Sequence, residues 1–202
     1  MICLPHDHEH HGAGHRHFDP EFFLATEEMR RALLAPEEAL ADFLASDDET
    51  LADIGAGAGF FALPAARRLR RGRVYAIDRQ EDMLEIVRRR SREDGLQNII
   101  PLRAEAKAIP LEDGAVDAAL MANVYHDIED REAALREVAR IVRPGGAFYL
   151  VEWDSSDLEK GPPSELRINA PDLERALEEG GFSVERRLDG PSPFYRVLAR
   201  RP

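Results

Sequence analysis

Cysteine is almost missing from this chain. Cys3 stands alone among 202 residues, so no disulfide can form within the molecule. No secretory pattern opens the sequence either, and the expected location is the cytoplasm. Lysine is nearly as scarce, at Lys107 and Lys160 only, and no function is drawn from that. Positive charge as a whole is short: 27 basic against 39 acidic residues give a formal net charge of −12. That balance argues against binding dominated by phosphate contacts, so no nucleic-acid partner is expected. The arginine runs around Arg67–Arg73 and Arg88–Arg92 read as solvated helix faces. No apolar run approaches the roughly 20 residues of a membrane span, so no membrane association is expected.

What remains is enough for a core. At 44% hydrophobic residues the chain suits one domain with a short appendage. The appendage is residues 1–17, which hold six of the seven histidines and too few apolar side chains to pack, and it is expected to be a flexible tail. His6, His8 and His10 alternate there, and imidazole is a good ligand for zinc, nickel or copper. The spacing does not match a closed structural zinc site, so weak divalent-metal binding is the expectation.

Residues 18–202 form the domain. Asp19-Pro20 supplies a helix start, and Phe22, Phe23, Met29, Leu33 and Leu34 give a helical apolar stripe. Pro36 opens another short helix. From residue 50 onward strand patterns (near 51–54, 73–77, 98–103, 115–121 and 146–152) alternate with helical ones (near 59–71, 81–94, 129–142 and 171–180). Such alternation implies an α/β fold, a parallel doubly wound sheet with helices on both faces. Two closing strands, 182–188 and 193–199, are joined by Asp189-Gly190-Pro191 and can pair antiparallel.

The chemistry concentrates in LADIGAGAGFF, residues 51–61. A buried strand carrying Asp53 runs into Gly55, Gly57 and Gly59, and a helix pattern follows. Alternate glycines let the backbone turn tightly and approach a ligand closely. The helix turns its free N–H groups towards that turn. Asp78 ends the next strand, 19 residues beyond Gly59, where a carboxylate can accept from both ribose hydroxyls of an adenosine. An exposed acid opening a loop is the plain alternative.

Acid followed by Gly-x-Gly-x-Gly resembles the first motif of class I S-adenosylmethionine-dependent methyltransferases. AEAKAIPL (104–111), NVYHDIED (123–130), and the helix and strand EAALREVARIVRPGGAFYLVEW extend the resemblance over roughly residues 45–155. The chain is thus similar to the small-molecule group that includes ubiquinone/menaquinone methyltransferases. The resemblance implies a Rossmann-like sheet of seven strands, mostly parallel with the last antiparallel, and S-adenosyl-L-methionine as cofactor. It implies that Asp53, Gly55, Gly57, Gly59 and Asp78 hold that cofactor. Glu105 stands where the family's aspartate binds the adenine amino group, and Met83 where a residue packs on adenine; at helical spacing Met83 could equally be core. Asn123 to His126 fall where the chain passes the methionine end.

His126 is the only histidine outside the tail. With a reference pKa of about 6.5 it would be largely neutral at pH 7, and it is the candidate general base. The alternative is a structural or capping role. Tyr125 and Asp127 are weaker candidates, and Glu152 and Trp153 are expected to border the acceptor pocket. Helices over 18–45 could form a lid, with His17 and Phe18 touching an acceptor. The connection 154–168 is long enough for a binding loop, where Lys160 or Arg167 could meet an anion or simply lie on the surface. The acceptor expected is a small molecule. Two rivals remain at this level: an NAD-dependent oxidoreductase, which would also use Asp78, and a non-catalytic protein that senses the cofactor or binds metal. The third glycine's position and the Glu105 segment favour adenosylmethionine over NAD.

Overall fold

The structure, a computed structural model, describes residues 17–154, 162–189 and 193–202. The tail histidines His6, His8 and His10, Lys160 and the Gly190-Pro191 turn lie outside the described residues.

Short apolar runs form the strands β1 (Thr50–Ile54), β2 (Arg73–Asp78), β3 (Ile99–Arg103), β4 (Val116–Ala122), β5 (Val142–Trp153), β6 (Ser183–Asp189) and β7 (Phe194–Arg200). They make one seven-stranded sheet in the order β3-β2-β1-β4-β5-β7-β6. β1 pairs parallel with β2 and β4, as β2 does with β3 and β4 with β5. Only β7 runs against its neighbours, β5 and β6. The expected seven strands with an antiparallel last member are therefore observed.

Alternation along the strands sends side chains to two cores. Leu51, Val74, Leu120, Tyr149 and Val151 face α3 (Pro36–Ala41), α4 (Ala62–Arg68) and Val87 of α5 (Glu81–Glu93). Ala52, Ile54, Met121, Phe148 and Leu150 face α6 (Arg131–Ile141) and α7 (Ala170–Glu179). Each fully buried leucine or isoleucine contributes roughly 1.5–3 kcal/mol against exposure, and the two cores hold the sheet between helical layers. Among the described residues no helix is long and apolar enough to cross a membrane.

Three boundaries differ from the sequence expectation. The N-terminal helical stripe is split into α1 (Pro20–Ala25) and α2 (Glu27–Leu34), because Thr26 turns its hydroxyl back to the Phe22 carbonyl (2.9 Å). The helix after the glycines begins at Ala62, not Gly59, since Gly59 sits at φ +88°. β5 starts directly after α6, at Val142 rather than 146. Pro144-Gly145-Gly146 does not end the pairing: Gly145 N–H donates to Arg201 O (2.7 Å), and Arg201 N–H donates to Gly146 O (3.0 Å).

Candidate active site

β1 is flanked by β2 on one side and β4 on the other, so chain progression reverses there. Ligands of open α/β sheets bind in the crevice beyond the carboxyl ends of the strands at such a point. The glycine turn occupies it. Gly55, Gly57 and Gly59 all take positive φ (74°, 52° and 88°), a backbone that side chains with a Cβ rarely adopt. A Cβ on Gly55 would stand 2.4 Å from Val124 Cγ2, so the loop after β4 packs directly on the turn. A Cβ on Gly57 would meet nothing within 4 Å. One glycine is required by packing; the other faces open space.

The acidic residues of the sequence motif converge on this turn. Asp78 accepts from Gly57 N–H (2.8 Å) with one oxygen and from Gln80 N–H (2.9 Å) with the other. Burial raises its pKa, and these two N–H groups partly counter that. Asp53 is 2% exposed. Its pKa is pushed up to about 7, first by desolvation and then by the charge of Asp78, with the Ala62 N–H opposing. Asp53 Oδ2 has no hydrogen-bond partner among the described residues, and neither does Asn123 Oδ1. Asn123 itself takes a left-handed backbone (φ 57°), and its N–H donates to Val151 O (2.8 Å).

Leaving a buried acceptor unpaired costs about 1–3 kcal/mol. Both orphans are acceptors, one at the end of β1 and one just beyond β4, so what would complete the crevice is a donor. An adenosyl amino acid carries such donors: an α-ammonium at one end and ribose hydroxyls within reach of a carboxylate like Asp78. The residues present therefore fit S-adenosylmethionine.

Glu105 lies just past β3, with Lys107 Nζ 3.4 Å from its carboxylate, and its side chain is 44% exposed. Met83, in the first turn of α5, is buried. That burial is compatible with a core position and with backing a ring.

Beyond β4 the chain forms a short 3-10 turn, Tyr125–Asp127. His126 is buried in it between two carboxylates: Nδ1 lies 2.8 Å from Glu152 Oε2 and Nε2 lies 3.2 Å from Asp127 Oδ2. Burial is the largest influence on the ring and lowers its pKa. The hydrogen bonds and charges of Asp127 and Glu152 together outweigh it and raise the value to about 9. The raised value favours a protonated ring at pH 7 over the neutral imidazole expected from the reference pKa, and each ring nitrogen lies beside a carboxylate. Arg131 braces the same turn, donating to Tyr125 O (3.2 Å) and His126 O (2.8 Å). On the opposite face of the sheet, Trp153 packs on Phe194 with ring centroids 4.5 Å apart. Arg167 Nε donates to Pro162 O (2.9 Å).

Gln80 was not legible as a site residue. Its side chain accepts from Phe18 N–H (2.8 Å) and donates to Phe18 O (2.9 Å), while His17 Nε2 lies 3.3 Å from Asp82. The segment before α1 is thus fastened beside Asp78. The only sequence signal is a polar residue two positions after that carboxylate.

Residues 52–150 match the methyltransferase domain family. An S-adenosylmethionine-dependent methyltransferase from Aquifex aeolicus superposes with a TM-score of 0.86 at 30% identity, over 92% of this chain and 100% of that one. The chain belongs to the S-adenosylmethionine-dependent methyltransferases. An uncharacterised methyltransferase of Mycobacterium bovis is 34% identical over 163 residues, which cover 80% of the chain and 60% of that relative. A demethylmenaquinone methyltransferase of Thermus thermophilus is 36% identical over 101 residues, half of the chain and 46% of that protein. The chain thus spans less than two thirds of the length of these curated methyltransferases. Among the described residues no group of three or more His, Cys, Asp or Glu could hold a metal ion.

Proposed function

We propose that this methyltransferase transfers a methyl group to a small-molecule acceptor in the cytoplasm, with no nucleic acid as substrate. The glycine turn carries the reading: Gly57 opens towards the crevice, with the Asp78 carboxylate bonded to its N–H. The acidic net charge and the named activity of the Thermus relative support the small-molecule acceptor.

In this reading Asp78 takes the ribose hydroxyls, Glu105 the adenine amino group, and Met83 backs the adenine. Asp53 and Asn123 accept from the ammonium end, and the glycine N–H groups line the chain between. S-adenosylmethionine, when bound, supplies a methyl group on a positively charged sulfur. The protein's task is then alignment and exclusion of water, since an in-line displacement gains most from positioning. His126 serves as a charged brace: its contacts to Glu152 and Asp127 lock the turn that follows Asn123. The acceptor atom attacks with its own lone pair, the sulfonium leaves as the thioether, and in this reading any proton the acceptor sheds passes to solvent and not to the His126 ring.

Incubating the protein with methyl-tritiated S-adenosylmethionine and a panel of quinols, phenols and small amines tests this. Acceptor-dependent label in an organic-extractable product is expected. Label found only in RNA or protein from an added extract would overturn the small-molecule assignment.

A further inference from the structure

Side chains of α2 meet α5 and the residue after the glycine turn, and two arginines make the junction. Arg90 of α5 donates to Ala58 O (3.1 Å) and pairs with Glu27 of α2 (2.7 Å). Arg30, three residues along α2 from Glu27, reaches Phe60, the residue after Gly59. Its guanidinium carbon lies 4.3 Å from the Phe60 ring centre and 5.0 Å from that of Phe23. The rings attract its charge through their faces but satisfy none of its five N–H groups in conventional hydrogen bonds. Among the described residues no carboxylate pairs with Arg30; Glu27 is already held by Arg90. Around this junction two guanidiniums face one carboxylate.

Arginine is chosen for such places because its planar fork matches an oxyanion with two parallel hydrogen bonds. A solvated surface arginine would need no explanation. Arg30 is different, because it is only partly exposed and two aromatic rings hold it beside the residue that follows Gly59. Desolvation lowers its pKa to about 10, with the Glu27 charge opposing, and it remains a cation at neutral pH. The unpaired acceptors described above call for donors; Arg30 is the converse, a donor set without an acceptor among the described residues.

We propose that Arg30 is an oxyanion-recognition residue of the ligand cleft, taking a carboxylate or phosphate presented beside the glycine turn. Two sources present that chemistry: the carboxylate of the cofactor's amino-acid arm, or an anionic group on the acceptor. The identity of the ligand rests on the methyltransferase reading; the anion preference rests on Arg30's surroundings alone.

Calorimetry separates these. The probes are S-adenosylhomocysteine, 5′-methylthioadenosine (which lacks the amino-acid arm) and inorganic pyrophosphate, the last titrated with and without saturating S-adenosylhomocysteine. The proteins are wild type, Arg30→Met, which keeps a long apolar stem between the rings, and Arg30→Lys, which keeps the charge without the fork. If the cofactor arm is the source, Arg30→Met weakens S-adenosylhomocysteine at least about tenfold and leaves methylthioadenosine unchanged. If an acceptor is the source, S-adenosylhomocysteine binds equally well and pyrophosphate binding is lost in the variant. Arg30→Lys falls between wild type and Arg30→Met in the sensitive arm, and it carries the test alone should the Met variant fail to fold. Indifference of every probe to Arg30 overturns the proposal and leaves the residue as packing. Failure of wild type to bind any adenosyl probe refutes the cofactor reading instead, and the pyrophosphate arm without added nucleotide then still decides Arg30.

Discussion

Gly55 and Gly57 share a backbone conformation but not a neighbourhood, and substitution separates the two reasons for glycine. Gly55→Ala pays about 1–2 kcal/mol for the left-handed backbone and adds a clash with Val124, at 2.4 and 2.8 Å from its methyl carbons. Gly57→Ala incurs the backbone cost with no clash, because its Cβ enters open space. The expected outcome is that Gly55→Ala lowers the melting temperature more, whereas Gly57→Ala folds and binds S-adenosylhomocysteine at least about tenfold more weakly. Thermal melts and calorimetry on the pair check this.

His126 gives a second residue-scale test. Its pKa is about 9 folded against about 6.5 unfolded, so the folded state holds the extra proton between those values. The stabilisation is fully present below pH 6.5 and is lost as pH rises through 9. Its ceiling is on the order of 3 kcal/mol. Urea unfolding at several pH values should show stability falling across that window, with the fall flattened in His126→Gln. A rate that drops tenfold per pH unit below about 6.5, with His126 required, would instead restore the neutral-base role. The histidine was visible in the sequence as unique outside the tail. Its charge state was only partly so: Asp127 is the next residue, but Glu152 lies 26 residues away and only the pairing of β4 with β5 brings it to the ring.

At the scale of elements, partly buried polar contacts add to the apolar packing that holds the N-terminal helices to the sheet. Tyr149 donates to Asp42 at the end of α3 (2.6 Å), and Arg196 donates to Leu34 O at the end of α2 (3.1 Å). Tyr149→Phe is expected to cost about 1 kcal/mol and to loosen α3, read as faster hydrogen exchange confined to residues 34–44. Gln80→Ala cuts both hydrogen bonds to Phe18 without touching a core cluster. It should speed proteolysis before α1 and weaken S-adenosylhomocysteine severalfold with little change in melting temperature. No protection difference before α1 would show that the Gln80 contact does not order that segment. Strands and helices after residue 50 were readable because period and punctuation agreed. The entry into β5 was misread because Pro-Gly-Gly is a stop signal locally, and the C-terminal Arg201 that pairs with it is remote in sequence. The break at Thr26 was hidden inside an unbroken apolar stripe.

The whole molecule is a doubly wound sheet whose reversal point at β1 gathers the glycine turn, Asp53, Asp78 and Asn123. The ordered motifs made this arrangement legible, since each sits at the end of a strand. Arg30 and Gln80 were not legible, for their meaning depends on how α1 and α2 fold back over the turn. The proposed function requires a crevice built for an adenosyl amino acid, with Asp78 on the ribose. Calorimetric binding of S-adenosylhomocysteine and of NAD to wild type and Asp78→Ala tests it most directly. The prediction is micromolar binding of S-adenosylhomocysteine, no measurable NAD binding, and a loss of at least about tenfold (about 1.4 kcal/mol) in Asp78→Ala. A preference for NAD, or S-adenosylhomocysteine affinity indifferent to Asp78, would contradict it.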